Sequence, residues 1–376
     1  MCGGVDDQPN LRRGWTTGSC ATAAAKAAFC ALRGMAFPDP VGITLPGGQT
    51  AAFALAESAA GPGWASAGVV KDAGDDPDVT HGALIRVTVR PGPPGGGIAF
   101  LAGEGVGTVT RPGLAIPPGQ PAINPIPRQM IAAALAEVAG GDPGDVAVEI
   151  AIPGGEAMAE RTLNGRLGIV GGLSVLGTTG IVVPYSCSAW IHSIHRGIDV
   201  ARATGLAHVA GATGRNSERA VQALHGLADT ALIDMGDFAG GMLKYLRAHP
   251  VARVTVAGGV AKMTKLAQGR LDLHSRRGPP DLAALAELAR LAGAAPDLAA
   301  RIARCNTVAE AFSLHPLGDV VADAAWRVAA ETLAGTPAGT LAGLGTALEI
   351  VLFDRDGMLV GRAAMAPVHG ARNRRT

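Results

Sequence analysis

The chain has 376 residues, 48% of them hydrophobic and only 3% aromatic, with a formal net charge of +1. That length suggests two or three domains, with enough apolar material for sizeable cores. A near-neutral chain so poor in aromatic rings lacks the basic stripe and the stacking platform that nucleic-acid binding needs.

From the N-terminus, "MCGGVDDQPNLRRG" contains no apolar h-region and does not read as a secretory signal. "TTGSCATAAAKAAFCALRG" reads as a helix capped by Ser19 or Thr17 and stopped by Gly34. "VGITLP" and "TAAFALAE" flank "GGQ" as a hairpin. "GVVK" leads into "KDAGDDPDVTHG", and "ALIRVTVRP", with period-two alternation, leads out, so this acidic stretch lies in a loop between two strands. "PPGGG" and "RPGLAIPPGQPAINPIP" carry turn chemistry, "RQMIAAALAEVAG" is helical, and "VAVEIAIPGG" is a strand.

Beyond Ser186 the rhythm becomes strand–helix alternation. The helix "SAWIHSIHRGIDVARATG" is followed by "LAHVA", "TALIDM" and "ARVTVAGG" as strands. Between them lie "GATGRNSERAVQALHG", "GDFAGGMLKYLRAH" and "VAKMTKLAQG" as helices. A helical region from Asp281 to Leu333 and a late strand, "ALEIVLFD", complete the pattern. The expected architecture is α/β and α+β in two closely packed domains. Residues 1–186 form an α+β domain with hairpins, and residues 187–376 a three-layer α/β domain with a mostly parallel sheet. No apolar run is long enough to span a bilayer. Five cysteines, Cys2, Cys20, Cys30, Cys187 and Cys305, are odd in number and far apart. They form neither a disulfide framework nor a C-x-x-C metal site, which points to a reducing cytoplasm.

Four stretches have the composition of functional sites. In the acidic loop, Asp72, Asp75, Asp76 and Asp78 lie near His81. Calcium needs a distal Glu that is missing, and a lone histidine does not make a zinc site. Asp76-Pro77 starts a turn, yet crowded carboxylates raise one another's pKa, which suits a proton acceptor. The segment "LNGRLGIVGGLSVLGTTGIVVPYS" is either a turned core connection or a backbone that approaches a ligand closely. "LAHVAGATGRNSERA" sets a Gly loop at a helix N-terminus, a place for an anion, though without the dinucleotide fingerprint or a P-loop, and Ser217 reads as a cap. "GGVAKMTKLAQGRLDLHS" brings Lys262, Lys265, Arg270 and His274 together, as a carboxylate grip or as a solvated face.

Taken together, "LRRGWTTGSCATAAAKAA", "VVKDAGDDPDVTHG", "LGIVGGLSVLGTTGIVVPYS", "GATGRNSE", "DMGDFAGGMLKYLRAH" and "AKMTKLAQGRLDLHS" resemble the cobalt-precorrin-5B C(1)-methyltransferase (CbiD) family of anaerobic cobalamin biosynthesis. The resemblance runs from Leu11 to about Ser275. It implies transfer of a methyl group from S-adenosylmethionine to a ring carbon of a cobalt-precorrin, on a two-domain fold unlike the usual methyltransferases. It implies that Asp75, Asp76, Asp78 and His81 serve catalysis. Gly168, Gly171, Gly172, Ser174, Gly177, Thr178, Thr179 and Gly180 would hold the donor. Thr16, Thr17, Ser19, Thr213, Arg215, Lys262, Lys265 and His274 would hold the substrate. Cobalt belongs to the substrate, so no protein-bound metal is expected. The partners implied are the small-molecule corrinoid and, transiently, other pathway enzymes, in the cytoplasm. Two rival readings are a nucleotide- or phosphate-dependent transferase using "GATGRNS" and a non-catalytic tetrapyrrole-binding protein.

Overall fold

The structure is a computed structural model that describes residues 11–336 and 345–365; Cys2 and the rest of the first ten residues lie outside them. The chain divides into two compact units, Met1–Cys187 and Ser188–Thr376.

The first unit opens with β1 (Gly14–Trp15) and α1 (Thr17–Leu32). It continues with β2 (Val41–Thr44), β3 (Thr50–Phe53), β4 (Glu57–Gly61), β5 (Trp64–Val70), β6 (Leu84–Pro91), β7 (Ile98–Ala102) and β8 (Thr108–Val109). Then come α2 (Pro125–Ala139), β9 (Val146–Ala151), α3 (Gly155–Ala159), β10 (Ile169–Val170) and β11 (Ile181–Val182). The main sheet runs β4-β5-β6-β9-β7, and β2 and β3 form the expected hairpin with Val41 opposite Phe53. α1 packs on α2, β2, β5 and β6 and is buried on almost every side from Thr17 to Cys30. That explains its alanine content: a helix with neighbours all round needs small side chains on every face. The cap differs from the sequence expectation. Thr16 Oγ1, not Ser19 or Thr17, accepts the first-turn amide, from Ser19 N at 3.2 Å. α2 begins earlier than the sequence suggests, because Pro125 and Pro127 suit a first turn whose amides need no intrahelical partner.

The second unit is entered along α4 (Cys187–Ala203) and continues with β12 (His208–Ala212), α5 (Arg215–His225), β13 (Leu232–Asp234), α6 (Ala239–Ala248), β14 (Arg253–Gly259) and α7 (Val260–Ala267). It ends with α8 (Leu282–Leu291), α9 (Pro296–Ala303), α10 (Val308–Leu314), α11 (Gly318–Ala334), β15 (Ala347–Phe353) and β16 (Leu359–Met365). The sheet order is β13-β12-β14-β15-β16, parallel except for the edge strand β16. Alternate residues face opposite ways. Val209, Val256 and Ile350 join the larger core with α4, α6, α7 and α11, while Ala210, Ala257 and Val351 meet α5 on the other face. The three layers follow from chain direction. The chain leaves β12 toward β13 through α5, then returns past β12 to β14 through α6. Right-handed crossovers in opposite directions put those helices on opposite faces. The strand order therefore reverses between β12 and β14. Among the described residues no helix is long and apolar enough to cross a membrane.

Candidate functional site

In the first unit, three sequence-distant segments converge on the N-terminus of α1. β1 pairs with β11, Trp15 opposite Ile181. Thr16 N donates to Gly180 O at 3.1 Å, Ser19 Oγ donates to the same carbonyl at 2.8 Å, and Gly18 N donates to Leu176 O at 3.0 Å. Gly177, at φ 143°, leaves no room for a side chain, because a Cβ there would lie 2.3 Å from Thr16 Oγ1. The acidic loop joins from the other side. Trp15 N donates to Asp72 O at 2.7 Å, and Asp75 N to Arg12 O at 2.9 Å. Thr16, Thr17, Ser19 and Gly180 are buried at this junction, and Thr178 and Thr179 are exposed beside it.

Each aspartate of the loop has its own partner. Asp72 forms a two-pronged ion pair with Arg12 and accepts from Gly74 N at 2.9 Å. Asp75 accepts from Arg12 N at 2.6 Å, and Asp76 from Tyr185 N at 2.8 Å. Asp78 is bonded to the buried Lys71 ammonium and to Thr80. His81 Nδ1 accepts from Ala73 N at 3.1 Å. The expectation that crowding raises these carboxyls fails for the two whose shift is resolved. The Arg12 guanidinium, with the Gly74 amide, holds Asp72 down at about 2. Burial pushes Asp78 up, but Lys71 and Thr80 outweigh it and leave it lowered. Opposite charge and donated hydrogen bonds, from Arg12 and Gly74 to Asp72 and from Lys71 and Thr80 to Asp78, set the direction of both shifts. Tyr185, beside Asp76, is 64% exposed and is the non-glycine residue with positive φ among those described, at 55°.

The glycine-rich segment behaves as a turned connection over much of its length. Gly168 O accepts from Thr110 N and Oγ1, Gly172 O from Asn164 Nδ2, and Leu173 N and Val175 N donate to Gly105 O and Ala122 O. Ser174 Oγ lies 3.5 Å from Asn164 Oδ1, and Gly171 is exposed. Through these carbonyls, and through the Leu173 and Val175 amides, the segment is tied to the 105–122 and 164 backbone and side chains.

The second unit gathers the other predicted residues at the C-terminal ends of its parallel strands. Lys262 Nζ donates to Thr213 O at 2.7 Å and lies 3.0 Å from Asp237 Oδ1. Arg215 is the exposed first residue of α5. Ser217 does not cap that helix, since its hydroxyl donates back to Gly214 O at 2.8 Å. Lys265 departs from the expected grip. It is 6% exposed, and its ammonium is turned onto Leu273 O at 2.9 Å and His274 O at 3.2 Å, with burial lowering its pKa. His274 Nδ1 accepts from Arg276 N at 3.1 Å and so fixes the loop that Lys265 holds. Arg12, Lys71, Tyr185, Trp190 and Asp237 were not singled out from sequence. Arg12, Lys71 and Tyr185 lie inside or next to the quoted strings, and their spacing from the aspartates was the available signal.

Among the described residues, one trio has donor atoms within 4.8 Å of one another: His208, His225 and Glu349. Its surroundings favour an ion-pair network over a metal. Glu349 accepts from Thr255 Oγ1 at 2.6 Å, Arg253 at 3.0 Å and Arg362 at 2.8 Å, and His225 Nε2 lies 2.8 Å away. Two guanidiniums on one carboxylate leave the cluster cationic before any metal arrives. Burial pushes Glu349 up, but those hydrogen bonds hold it at about 2. Burial, helped by Arg253 and His225, drops His208 to about 4.

The comparisons cover nearly the whole chain. Residues 5–184 match the family described as CbiD, and residues 272–364 the one described as CbiD, C-terminal domain. A protein of Agrobacterium fabrum named cobalt-precorrin-5B C(1)-methyltransferase is 61% identical, over 98% of this chain and 99% of its own. One of the same name from Bradyrhizobium is 64% identical over 94% of this chain and 93% of its own. A 1.9 Å crystal structure of the cobalamin biosynthesis protein CbiD from Archaeoglobus fulgidus is 27% identical over 71% of this chain and 83% of that one, with a TM-score of 0.39. With identities this high over almost full length, the chain belongs to the CbiD family.

Proposed function

We propose that the chain transfers the methyl group of S-adenosylmethionine to carbon C-1 of a cobalt-precorrin. The observation that carries this is the near full-length likeness to relatives bearing the name cobalt-precorrin-5B C(1)-methyltransferase. In the step, the S–CH3 bond breaks with its electron pair left on sulfur. A ring-carbon electron pair forms the new C–C bond, and S-adenosylhomocysteine leaves. The sulfonium loses its charge, so the protein's task is to hold donor and acceptor in line and keep water away.

Asp76 is the favoured proton acceptor. Its Oδ1 accepts from the Tyr185 amide, a neutral donor, whereas Asp78 is engaged by a buried cation and Asp72 by a guanidinium. Asp75 and His81 flank it. The exposed hydroxyls of Thr178 and Thr179, in the same unit as Asp76, are suited to the polar groups of the methyl donor. In this reading the enzyme is cytoplasmic, takes a small-molecule corrinoid as its partner, and meets other pathway enzymes only in passing. The deciding test is anaerobic incubation with methyl-labelled S-adenosylmethionine and the cobalt-precorrin, followed by mass spectrometry of the corrinoid. Label in the ring with release of S-adenosylhomocysteine supports the reading. Intact substrate and no donor binding would move the function to a nucleotide-dependent transferase.

A further inference from the structure

The β12–β14 reversal is a topological switch point, and in open parallel sheets ligands usually sit outside the C-terminal ends of the strands at such a point. Thr213 and Gly214 follow β12, and Lys262 comes from α7, after β14. Beside them, at the end of β13, lies a feature that packing alone does not require. Trp190 is 46% exposed, although the chain has only four tryptophans. Its Nε1 donates to Asp234 O at 3.0 Å, and its ring lies flat on Gly236, where an added Cβ would sit 3.2 to 3.3 Å from three indole atoms. Gly236, at φ 56°, is therefore a seat for the ring, and Phe238 braces it with centroids 6.5 Å apart.

Next to the indole is Asp237. Its Oδ1 is buried and accepts no hydrogen bond, for the Lys262 ammonium approaches to 3.0 Å off hydrogen-bonding direction. Lys262 offsets the charge of that oxygen, and the side chain as a whole is 22% exposed, which leaves the carboxylate within reach of a ligand's donor. From β13 to β14 is two strand spacings, about 9.5 Å, a span comparable to the length of a nucleoside.

We propose that this edge of the second unit binds the adenosine end of the methyl donor, with the base stacked on Trp190 and a ribose hydroxyl donating to Asp237, which Lys262 positions. This rests on the methyl-transfer reading and moves the donor away from the glycine-rich segment of the first unit.

The test is calorimetric titration of the full chain with S-adenosylhomocysteine, paired with donor and corrinoid KM in the labelled-methyl assay. Trp190→Ala and Asp237→Asn should each weaken S-adenosylhomocysteine binding by about tenfold or more and raise donor KM in proportion. The corrinoid KM should stay put and kcat should hold within about twofold, as expected when binding common to ground and transition state is removed. Trp190→Phe, which keeps a stacking face, should recover most of the affinity. If Trp190→Ala does not fold, Asp237→Asn and Trp190→Phe still decide. Wild-type transfer with unchanged affinity in both Asp237→Asn and the Trp190 variants would overturn this site and leave the methyltransferase reading standing. Absence of both binding and transfer in the wild type would remove that reading and this inference with it.

Discussion

The Lys71–Gly82 loop spreads four aspartates over separate donors: a guanidinium, two backbone amides, and a buried ammonium. In the second unit one carboxylate, Glu349, gathers Thr255, Arg253, Arg362 and His225 around itself at 2% exposure. The loop is conspicuous in sequence and mostly wet, whereas Glu349 is invisible in sequence and buried, with the two arginines that reach it from the solvent side about half exposed. Density of charge along the chain marks where a loop is solvated. Density of partners around one charge marks where the fold depends on it.

The sharpest way to break that contrast is Glu349→Ala. It removes the buried carboxylate shared by Arg253, Arg362, Thr255 and His225 and should lower unfolding stability by about 3 kcal/mol, the low end for a broken buried pair because both half-exposed arginines can turn toward water. Urea denaturation of the variant checks it. A shift no larger than that of an exposed aspartate would mean the cluster is decoration.

Asp76→Asn probes the other side. As general base, Asp76 should give up at least about a hundredfold in turnover on substitution, with the urea midpoint nearly unchanged. Asp78→Asn should do the reverse, weakening the fold through Lys71 more than it slows turnover. Both are read from kcat and denaturation midpoints on the same preparations. Near-normal turnover in Asp76→Asn removes it from the base role.

The strand–helix alternation after Ser186 was legible because short apolar runs alternate with longer amphipathic ones, so the parallel sheet follows from local pattern and handedness. β16 was not anticipated: "LVGRAAM" is broken by Gly361 and Arg362, and it becomes a strand by pairing with β15. The convergence of the 12–19, 72–81 and 176–185 segments was visible only as unusual strings, since nothing local says that Thr16 meets Gly180. Lys265 was misjudged for a related reason. A lysine on a helix looks like an outward cation until the 271–274 loop folds under it and captures the ammonium. Glu349 carried no signal, its partners lying far along the chain.

The pH response of the two regions should differ. His208 is held near 4 by burial, against an ordinary 6.5, so between those values the unfolded chain takes up a proton that the folded chain refuses. Stability contributed by the second unit should therefore fall as pH drops from about 6.5 toward 4, with His195 and His225, also lowered, adding to it. Below about 4.5, protonation of unfolded Glu349, whose folded value is about 2, extends the loss. His208→Gln should flatten the upper step in urea midpoints measured at pH 7 and pH 5. An unchanged slope would mean that the ring takes its proton freely in the folded chain.

The smallest effect is expected where the charge pairing looks strongest. Arg12 and Asp72 form a two-pronged pair, and Asp72 sits near 2, yet the two side chains are 58% and 45% exposed. Water competes for both groups and salt screens them, so a large displacement of titration carries little folding energy. Arg12→Ala should let Asp72 titrate at higher pH, still below its ordinary value because the Gly74 amide remains, while the urea midpoint at physiological salt stays within error of wild type. Carboxyl chemical shifts followed by NMR across the acid range, beside a denaturation curve, measure the two quantities separately. A destabilisation comparable to Glu349→Ala would show that the Arg12–Asp72 link is what closes the first unit's N-terminal junction, and that exposure alone is a poor guide to which ion pairs hold this protein together.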